Sequence, residues 1–237
     1  MQFESTDISM TRSASDIVFE ALRRAIVLGE MAHGTPLRQE EIARAFNVSR
    51  VPVREAIARL EHLGLVETRR YRGAVVAPLR AEDIEEIFDL RALVESDAIR
   101  RALPGLTGAE LAEAEAAHDA FAASGDPARW IEQNRRFHRA LYGIARQRHY
   151  MGVIDTMLNL SDRYLRTQLL LSGGHRIAVD EHRRILEACR AGDANAAAAL
   201  VRAHVLDAKA SLLERLGDPL ANDRGTELPR PRESGRG

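Results

Sequence analysis

Four residues in the second half of the chain have the side chains and the spacing of a metal site. Asn134 and His138 are four positions apart, so in a helix both side chains lie on one face, one turn from each other. His182 lies ten residues before Gly192 and His204 twelve residues after it. If Gly192 joins two antiparallel helices, the two imidazoles lie at nearly the same height. Three imidazoles and one side-chain oxygen can hold a divalent transition metal and leave positions open for water or a ligand.

Spacing alone favours a plainer alternative, in which the three histidines are unconnected residues on separate helix faces. A third interpretation is a metal-dependent hydrolase, because three histidines with open positions also describe a hydrolytic zinc centre. Such an enzyme needs a general base near the metal-bound water. Asp180 and Glu181 are nearby, but the sequence gives them no feature beyond that of acids at the start of a helix.

The stretch from Leu37 to Val66 predicts a helix-turn-helix, with Asn47 at the turn and Ser49 as the N-cap of the second helix. Apolar residues recur at helical spacing on the inner face of that second helix. Arg50 and Arg54 are left for the outer face, near its N-terminal end, from which a recognition helix reaches base edges and phosphates. The charge pattern fits a solvated amphipathic helix equally well.

A basic β-hairpin is predicted directly after this helix. Two strand-like runs flank the segment from Arg69 to Gly73, which has three arginines in five residues. A hairpin in this place is a wing, suited to lie along the phosphate backbone or to enter the minor groove. Residues 36–80 contain nine arginines and five glutamates, a local excess of four positive charges in a chain whose net charge is -1. Helix-turn-helix and wing together indicate a DNA-binding domain more specifically than either part alone.

The segment VSRVPVREA and the wing RRYRGAVVA resemble the winged-helix domain of GntR-family bacterial transcription regulators. The resemblance implies that Arg50, Val51 and Arg54 contact the operator and that Arg72 and Gly73 form the wing tip. Pro52 fits the first turn of the recognition helix, where a missing N–H costs nothing. Val51 stands where Thr or Ser is usual, and Glu40 stands where some members have a basic residue, so the operator sequence of a relative does not transfer.

The segments NRRFHRAL, DEHRRILEA and RAHVLDA are similar to the helical effector-binding (FCD) domain of the FadR-like branch of that family. The resemblance implies a metal held by Asn134, His138, His182 and His204, with zinc as the first expectation and manganese or nickel as alternatives. It also implies a small carboxylate effector, which Arg91 can bind in bidentate fashion. A surface i,i+4 pair with Glu95 is the alternative role for this arginine. A neutral Asn134 makes the site more positive than an Asp would.

The expected fold is mainly α: an N-terminal winged helix-turn-helix and then an all-helical bundle of about six to seven helices. We expect a flexible arm at 1–12, the DNA-binding domain at 13–77, a linker at 78–80, a helical effector-binding and dimerisation domain at 81–217 and a disordered tail at 218–237. The bundle helices are predicted at 81–103, 107–123, 127–145, 149–171, 177–191 and 194–216. A first helix, capped by Ser15 and Asp16, is predicted to pack on the helix-turn-helix. His118, His149 and His175 are predicted to be surface or capping residues.

Composition fits a cytoplasmic protein without a membrane partner. The 237 residues include one cysteine, Cys189, which excludes an internal disulfide and is expected to be a small buried residue. No run reaches the length of a membrane span, and the N-terminus lacks the apolar core of a signal peptide. The winged helix and the family resemblance together imply a transcription regulator, not an enzyme. The resemblance implies that it binds a palindromic double-stranded operator as a homodimer and represses transcription until the effector binds.

Overall fold

A computed structural model describes residues 12–78, 80–143, 147–170 and 173–216. The chain divides into two compact units, Met1–Pro78 and Leu79–Gly237. The disordered tail predicted at 218–237 lies outside the described residues, as do Leu79 of the predicted linker and all of the predicted arm except Arg12. Each unit has a buried apolar core of its own.

The first unit consists of three helices and a small sheet. Its elements are α1 (Ala14–Val27), α2 (Gln39–Ala45), α3 (Arg50–His62), β1 (Val66–Arg69) and β2 (Gly73–Val76). The strands pair antiparallel, with Val66 opposite Val76 and Arg69 opposite Gly73. Pro36 adds a bridge to Val75, so the segment before α2 extends the sheet. This is the winged helix-turn-helix that the sequence predicted.

Local chemistry sets the ends of these helices. α1 begins earlier than predicted: Ser13 is its N-cap and accepts a hydrogen bond from the Asp16 backbone N–H at 3.0 Å, so the predicted cap at Ser15 and Asp16 is wrong. Asn47 turns the chain between α2 and α3 with a φ of 52°, a left-handed conformation that asparagine tolerates. Ser49 is the N-cap residue of α3.

All the regular secondary structure among the described residues of the second unit is helical. Its helices are α4 (Ala81–Ala102), α5 (Gly108–Ala123), α6 (Pro127–Leu141), α7 (Arg148–Leu170), α8 (Gly174–Arg190) and α9 (Ala194–Leu216), with a 3-10 turn at Leu103–Gly105. α4 packs along α9, α5 along α6, and α8 along α9. No helix among the described residues is both long enough and apolar enough to cross a membrane.

Two predicted helix boundaries in the second unit are wrong by three residues or more, and glycines explain both. α6 ends at Leu141 because Gly143, with a φ of 64°, turns the chain, whereas the prediction ran on to residue 145. α8 begins at Gly174, three residues before the predicted start, because Gly173 turns the chain with a φ of 82° directly before it. A Cβ on Gly174 would lie 2.2 Å from the Gln168 carbonyl oxygen, so that position needs glycine for close packing against α7.

Candidate metal centre and DNA-binding surface

Three helices bring three histidines together in the core of the second unit. His138 lies on α6, His182 on α8 and His204 on α9. The ring of His138 is 5.2 Å from each of the other two rings, which are 4.9 Å from each other, centroid to centroid. One nitrogen from each ring lies within 4.8 Å of the others. The antiparallel hairpin of α8 and α9 thus places His182 and His204 side by side, as their distances from Gly192 predicted.

The donor atoms of this cluster are buried, and most of them have no partner. His138 and His182 have no exposed surface, and Asn134 and His204 are 2% and 6% exposed. Within the described residues, Asn134 Oδ1, His138 Nε2 and both ring nitrogens of His182 make no hydrogen bond. Buried polar atoms are rarely left unpaired, because each costs free energy. Three imidazole nitrogens and an amide oxygen are suitable ligands for a divalent transition metal, so the cluster fits one.

Protonation also suits metal binding. Burial, reinforced by nearby His204, lowers the pKa of His138 and of His182 well below the usual value for histidine. Both imidazoles are therefore neutral near pH 7 and offer a lone pair. A metal needs its histidine ligands in that form.

Each of two cluster histidines has a hydrogen-bonding partner on its outer nitrogen. His204 Nδ1 lies 2.7 Å from Glu181 Oε2. His138 Nδ1 lies 2.9 Å from the Tyr142 hydroxyl, which donates to Glu95 Oε2 at 2.7 Å. Burial and the charge of Glu95 raise the pKa of Tyr142 well above its usual value, so the phenol keeps its proton. Outer partners of this kind orient ligand histidines in metal sites.

Sequence reasoning missed these partners. Glu181 was taken for a helix-start acid, yet the register that pairs His182 with His204 also places Glu181 beside His204. Tyr142 follows His138 by four positions, a spacing that predicts contact in a helix. Glu95 is 47 residues from Tyr142 in sequence, and no local pattern connects them.

Arg91 lies in the core, so its predicted alternative as a surface residue is wrong, although the predicted pair with Glu95 does form. Its side chain is 3% exposed, and its Nε donates to Glu95 Oε1 at 2.6 Å. Its Nη1 and Nη2 groups make no hydrogen bond to any described residue. The guanidinium carbon lies 5.1 Å from the centre of the Phe88 ring. Arg91 thus has one nitrogen occupied and a two-nitrogen fork available to an anion.

The remaining histidines of this unit differ in burial. His118 is only 8% exposed, so its predicted surface location is wrong; α5 turns it inward, to 6.1 Å from the ring of His182. His175 is half-buried, with Nε2 2.9 Å from the Phe121 carbonyl oxygen, and it stacks on Trp130. His149 is exposed, as predicted. Cys189 is buried, also as predicted, and burial raises the pKa of its thiol to about 11.

The outer face of α3 presents three predicted DNA contacts to solvent. Arg50 and Arg54 are exposed, and so is Val51, at 50%. Arg50 Nη1 lies 3.2 Å from Glu40 Oε1, whereas Arg54 forms no ion pair within the described part of the chain. Arg59 has a structural role instead, because it pairs with Asp16 at 2.7 Å and covers the Phe19 ring. The basic face of α3 therefore centres on its first two turns.

The wing is a hairpin with a three-residue loop, Arg70 to Arg72. Tyr71 at its tip is 90% exposed and has a φ of 65°. The guanidinium carbon of Arg70 lies 4.9 Å from the centre of the Tyr71 ring. Gly73 closes the loop with a φ of 69°, a conformation that favours glycine, although a Cβ there would meet no atom within 4 Å. The loop holds Arg72 and Gly73 at the tip, where the resemblance placed them, and adds an exposed aromatic ring.

Family comparisons agree with both halves of this description. Residues 14–76 match the model of the gntR family of bacterial regulatory proteins, and residues 86–207 match the model of the FCD domain. The chain belongs to the GntR family. Its first unit contains the helix-turn-helix domain and its second the FCD effector-binding domain.

Individual relatives of this GntR protein are also transcription regulators. It is 27% identical over 221 residues to the uncharacterized HTH-type transcriptional regulator BphR of Paraburkholderia xenovorans, covering 89% of each chain. It is 35% identical over 102 residues to the HTH-type transcriptional repressor RspR of Escherichia coli, covering 43% of this chain and 45% of RspR. A crystal structure of a GntR family member from Pseudomonas syringae is similar to it, with 31% identity, a TM-score of 0.55 and 89% of each chain covered.

Family membership also decides between the classes of function that the histidines left open. The GntR protein is a DNA-binding transcription regulator, and its relatives indicate regulation, not catalysis. The hydrolase alternative rested on three histidines and two nearby acids, Asp180 and Glu181. In the structure Glu181 contacts the outer nitrogen of His204, and Asp180 pairs with Arg183 at 2.8 Å. These contacts explain both acids without a catalytic role.

Proposed function

We propose that this GntR protein is a repressor that binds a palindromic operator as a homodimer in the cytoplasm and responds to a small carboxylate through a bound metal. One observation carries the proposal: three histidines converge in the core of the FCD domain, and donor atoms of His138, of His182 and of Asn134, one turn before His138 on α6, have no partner among the described residues. Leaving those atoms unpaired would cost about 1–3 kcal/mol each. A metal ion would satisfy Asn134 Oδ1, His138 Nε2 and one nitrogen of His182 at once.

Asn134, His138, His182 and His204 would hold the metal. Zinc is the first choice because it favours imidazole nitrogens, and manganese and nickel are the alternatives. When bound, the ion supplies a Lewis-acidic position that accepts a carboxylate oxygen. The four protein ligands are neutral, since the amide of Asn134 replaces a carboxylate. The ion therefore keeps more of its charge for an anion.

Arg91 supports a carboxylate as the effector. The residue is buried, and its fork of two nitrogens makes no hydrogen bond to a described residue. A planar carboxylate matches that fork in bidentate geometry. The Arg91–Glu95 pair is neutral as a whole, and Glu181 contributes one negative charge. With a divalent ion the group is left with about one positive charge, which a small carboxylate would balance.

DNA binding would use Arg50, Val51 and Arg54 of α3 in the major groove and Arg72 and Gly73 of the wing on the adjacent backbone or minor groove. A homodimer presents two such surfaces, and a palindromic operator matches that symmetry. Effector binding in the FCD domain would alter the separation of the two surfaces and so alter affinity. RspR, a partial relative, is described as a repressor, which supports repression here.

A gel-shift experiment with Arg54→Ala tests the DNA-binding half. The probe is the intergenic DNA that flanks the protein's own gene, and Arg215→Ala, an exposed arginine of α9, is the control. One lost base contact costs about 1–3 kcal/mol, and a dimer loses two, so we expect operator binding to weaken at least about 30-fold. Circular dichroism of the variant should match the wild type. Binding by Arg54→Ala at the affinity of Arg215→Ala would contradict the assignment of α3.

Metal analysis and a ligand screen test the other half. The protein as isolated should contain close to one zinc, manganese or nickel ion per chain. Small mono- and dicarboxylates should raise the melting temperature of the metal-loaded protein, and a bound effector should release the operator probe. Absence of metal on isolation, together with no thermal shift on adding any of the three ions, would refute the metal site.

A further inference from the structure

A chain of three hydrogen bonds connects α4 with the metal centre. Arg91 Nε donates to Glu95 Oε1 at 2.6 Å, and the Tyr142 hydroxyl donates to Glu95 Oε2 at 2.7 Å. The same hydroxyl lies 2.9 Å from His138 Nδ1. Glu95, Tyr142 and His138 have no exposed surface, and Arg91 is 2% exposed. Water therefore does not compete for these hydrogen bonds.

The number of protons in the chain fixes the direction of every bond. Glu95 accepts on both oxygens, from Arg91 Nε at 2.6 Å and from the Tyr142 hydroxyl at 2.7 Å. The Tyr142 hydroxyl has a single hydrogen, with which it donates to Glu95 Oε2. The phenol oxygen can then only accept from His138, so Nδ1 of that ring must have the hydrogen. A neutral imidazole with its hydrogen on Nδ1 has its lone pair on Nε2.

Nε2 of His138 is one of the cluster atoms that make no hydrogen bond to any described residue. We propose that Glu95, acting through Tyr142, is a positioning residue that fixes the Nδ1–H tautomer of His138 and so points its lone pair at the metal position. The metal part of this statement rests on the proposed function, whereas the tautomer does not. Nδ1 of His138 is 4.0 Å from the nearest Glu95 oxygen, beyond hydrogen-bonding distance, so the phenol is the required bridge.

His204 shows the same arrangement without a bridge. Its Nδ1 lies 2.7 Å from Glu181 Oε2 and donates to that carboxylate, so Nε2 is the nitrogen left for a metal. Two of the three histidines are thus prepared for metal binding by carboxylates on other helices. For His138 the carboxylate belongs to α4, the helix that also carries Arg91.

Glu95→Gln should reverse the direction of the hydrogen bonds that run from His138 through Tyr142 to position 95. Arg91 needs an acceptor, so the new amide would turn its oxygen to the guanidinium and its NH2 group to the Tyr142 oxygen. The phenol would then donate to His138 Nδ1, and the ring hydrogen would move to Nε2, where it blocks metal binding. Tyr142→Phe removes the bridge, and we expect it to leave the two tautomers mixed. Tyr150→Phe is the matched control, because it also deletes a hydroxyl that donates to an acid of α4, Asp97, but at a place outside the histidine cluster.

The first measurement is the tautomer of His138 in the metal-free, full-length protein. Long-range proton–nitrogen correlation NMR distinguishes the two forms, and loss of a signal in His138→Gln assigns it. We expect Nδ1–H in the wild type and in Tyr150→Phe, and Nε2–H in Glu95→Gln. An Nε2–H wild type, or an Nδ1–H Glu95→Gln variant, would overturn the proposal. Circular dichroism and thermal melting verify that each variant is folded.

The second measurement is zinc affinity by competition with a chromophoric chelator. Loss of an outer partner typically lowers metal affinity 10–100-fold, so we expect that loss in Tyr142→Phe and at least that loss in Glu95→Gln. Tyr150→Phe should stay within about twofold of the wild type, since no partner of a cluster histidine is changed. Equal affinities of Tyr142→Phe and Tyr150→Phe would overturn the positioning role. If no form binds zinc while the tautomers are as expected, the proposed metal function fails and the hydrogen-bond assignment stands.

Discussion

Replacing His182 with leucine should make the metal-free protein more stable. His182 has no exposed surface, and neither ring nitrogen has a partner within the described residues. Its neighbours include the rings of Phe137, stacked at 4.1 Å, and Phe121, at 5.2 Å. Leucine is close to histidine in size and has no polar atom to leave unpaired. Because no described neighbour pairs with the two nitrogens, the replacement removes a cost.

The size of the effect follows from three contributions. Two unpaired buried nitrogens cost roughly 2–6 kcal/mol together. Loss of the aromatic stack costs about 0.5–1.5 kcal/mol, and repacking a side chain of similar volume costs less than about 1.5 kcal/mol. The metal-free His182→Leu protein should gain about 2 kcal/mol. For a unit of this size that corresponds to a rise in melting temperature of roughly 4–8 °C.

Metal should reverse the order of stability. At a free zinc concentration about 1,000 times the dissociation constant, binding stabilises the wild type by about 4.1 kcal/mol, or roughly 8–16 °C. His182→Leu lacks one of three imidazole ligands and should gain little. The variant should therefore melt above the wild type in chelator and below it in zinc.

Differential scanning calorimetry of the full-length proteins, with EDTA and then with zinc, measures both shifts. His149→Leu is the control, because His149 is exposed on α7 and lies outside the cluster. It should respond to zinc as the wild type does. If His182→Leu melts below the wild type in EDTA, the nitrogens of His182 have partners in solution and the argument from unpaired atoms is refuted. A zinc shift of wild-type size in the variant would refute the ligand assignment.

Two further predictions concern other parts of the chain. Val51 is 50% exposed between the predicted DNA contacts of α3, so we expect it to contact a thymine methyl group. Uracil in place of that thymine in both half-sites should weaken wild-type binding about tenfold, at about 0.8 kcal/mol per methyl group, and should have little effect on Val51→Ala. Equal sensitivity of the two proteins in gel shifts would contradict this contact. Hydrogen bonds from Tyr150, Arg101 and Arg100 hold the pKa of Asp97 well below its usual value. Because the pKa is lowered by folding, Asp97 stabilises the protein above its unfolded pKa of about 3.9, and this contribution is lost as the pH falls below that value. Urea unfolding should thus show Asp97→Asn less stable than the wild type at pH 7, with the difference shrinking toward pH 3; a constant difference would contradict the assignment.

Periodicity and turn residues were sufficient to predict the fold. The apolar stripe of α3 and the glycine and asparagine turns around it specify the winged helix, and these features are local in sequence. Helix ends were predicted less well where several turn-forming residues follow one another. Gly173 and Gly174 illustrate the reason: one turns the chain, and the other is a glycine because α7 passes too close for a Cβ. Only the structure separates these two causes.

The histidine cluster could be predicted because a short hairpin fixes the register of the two helices that carry His182 and His204. The hydrogen bonds that link Arg91 to His138 could not be predicted, because they join helices whose contact depends on the packing of the whole bundle. The pair of Arg91 and Glu95 is also a standard surface pattern, and most i,i+4 ion pairs are solvent-exposed. Pair spacing alone therefore predicted the partner correctly and the environment wrongly.

A different pattern in the sequence does mark these residues as buried. Along α4 the buried positions recur at helical spacing, and Arg91 and Glu95 occupy two of them between Phe88 and Ile99. In α6, Asn134 and His138 occupy core positions between Ile131 and Leu141 in the same way. Burying a charged or polar group costs several kcal/mol unless partners or an ion compensate, so an apolar residue would be the more stable choice at each position. Polar residues that interrupt the core stripes of two helices at matching heights therefore predict a shared site, and in this chain the two interruptions meet at the Tyr142 hydroxyl.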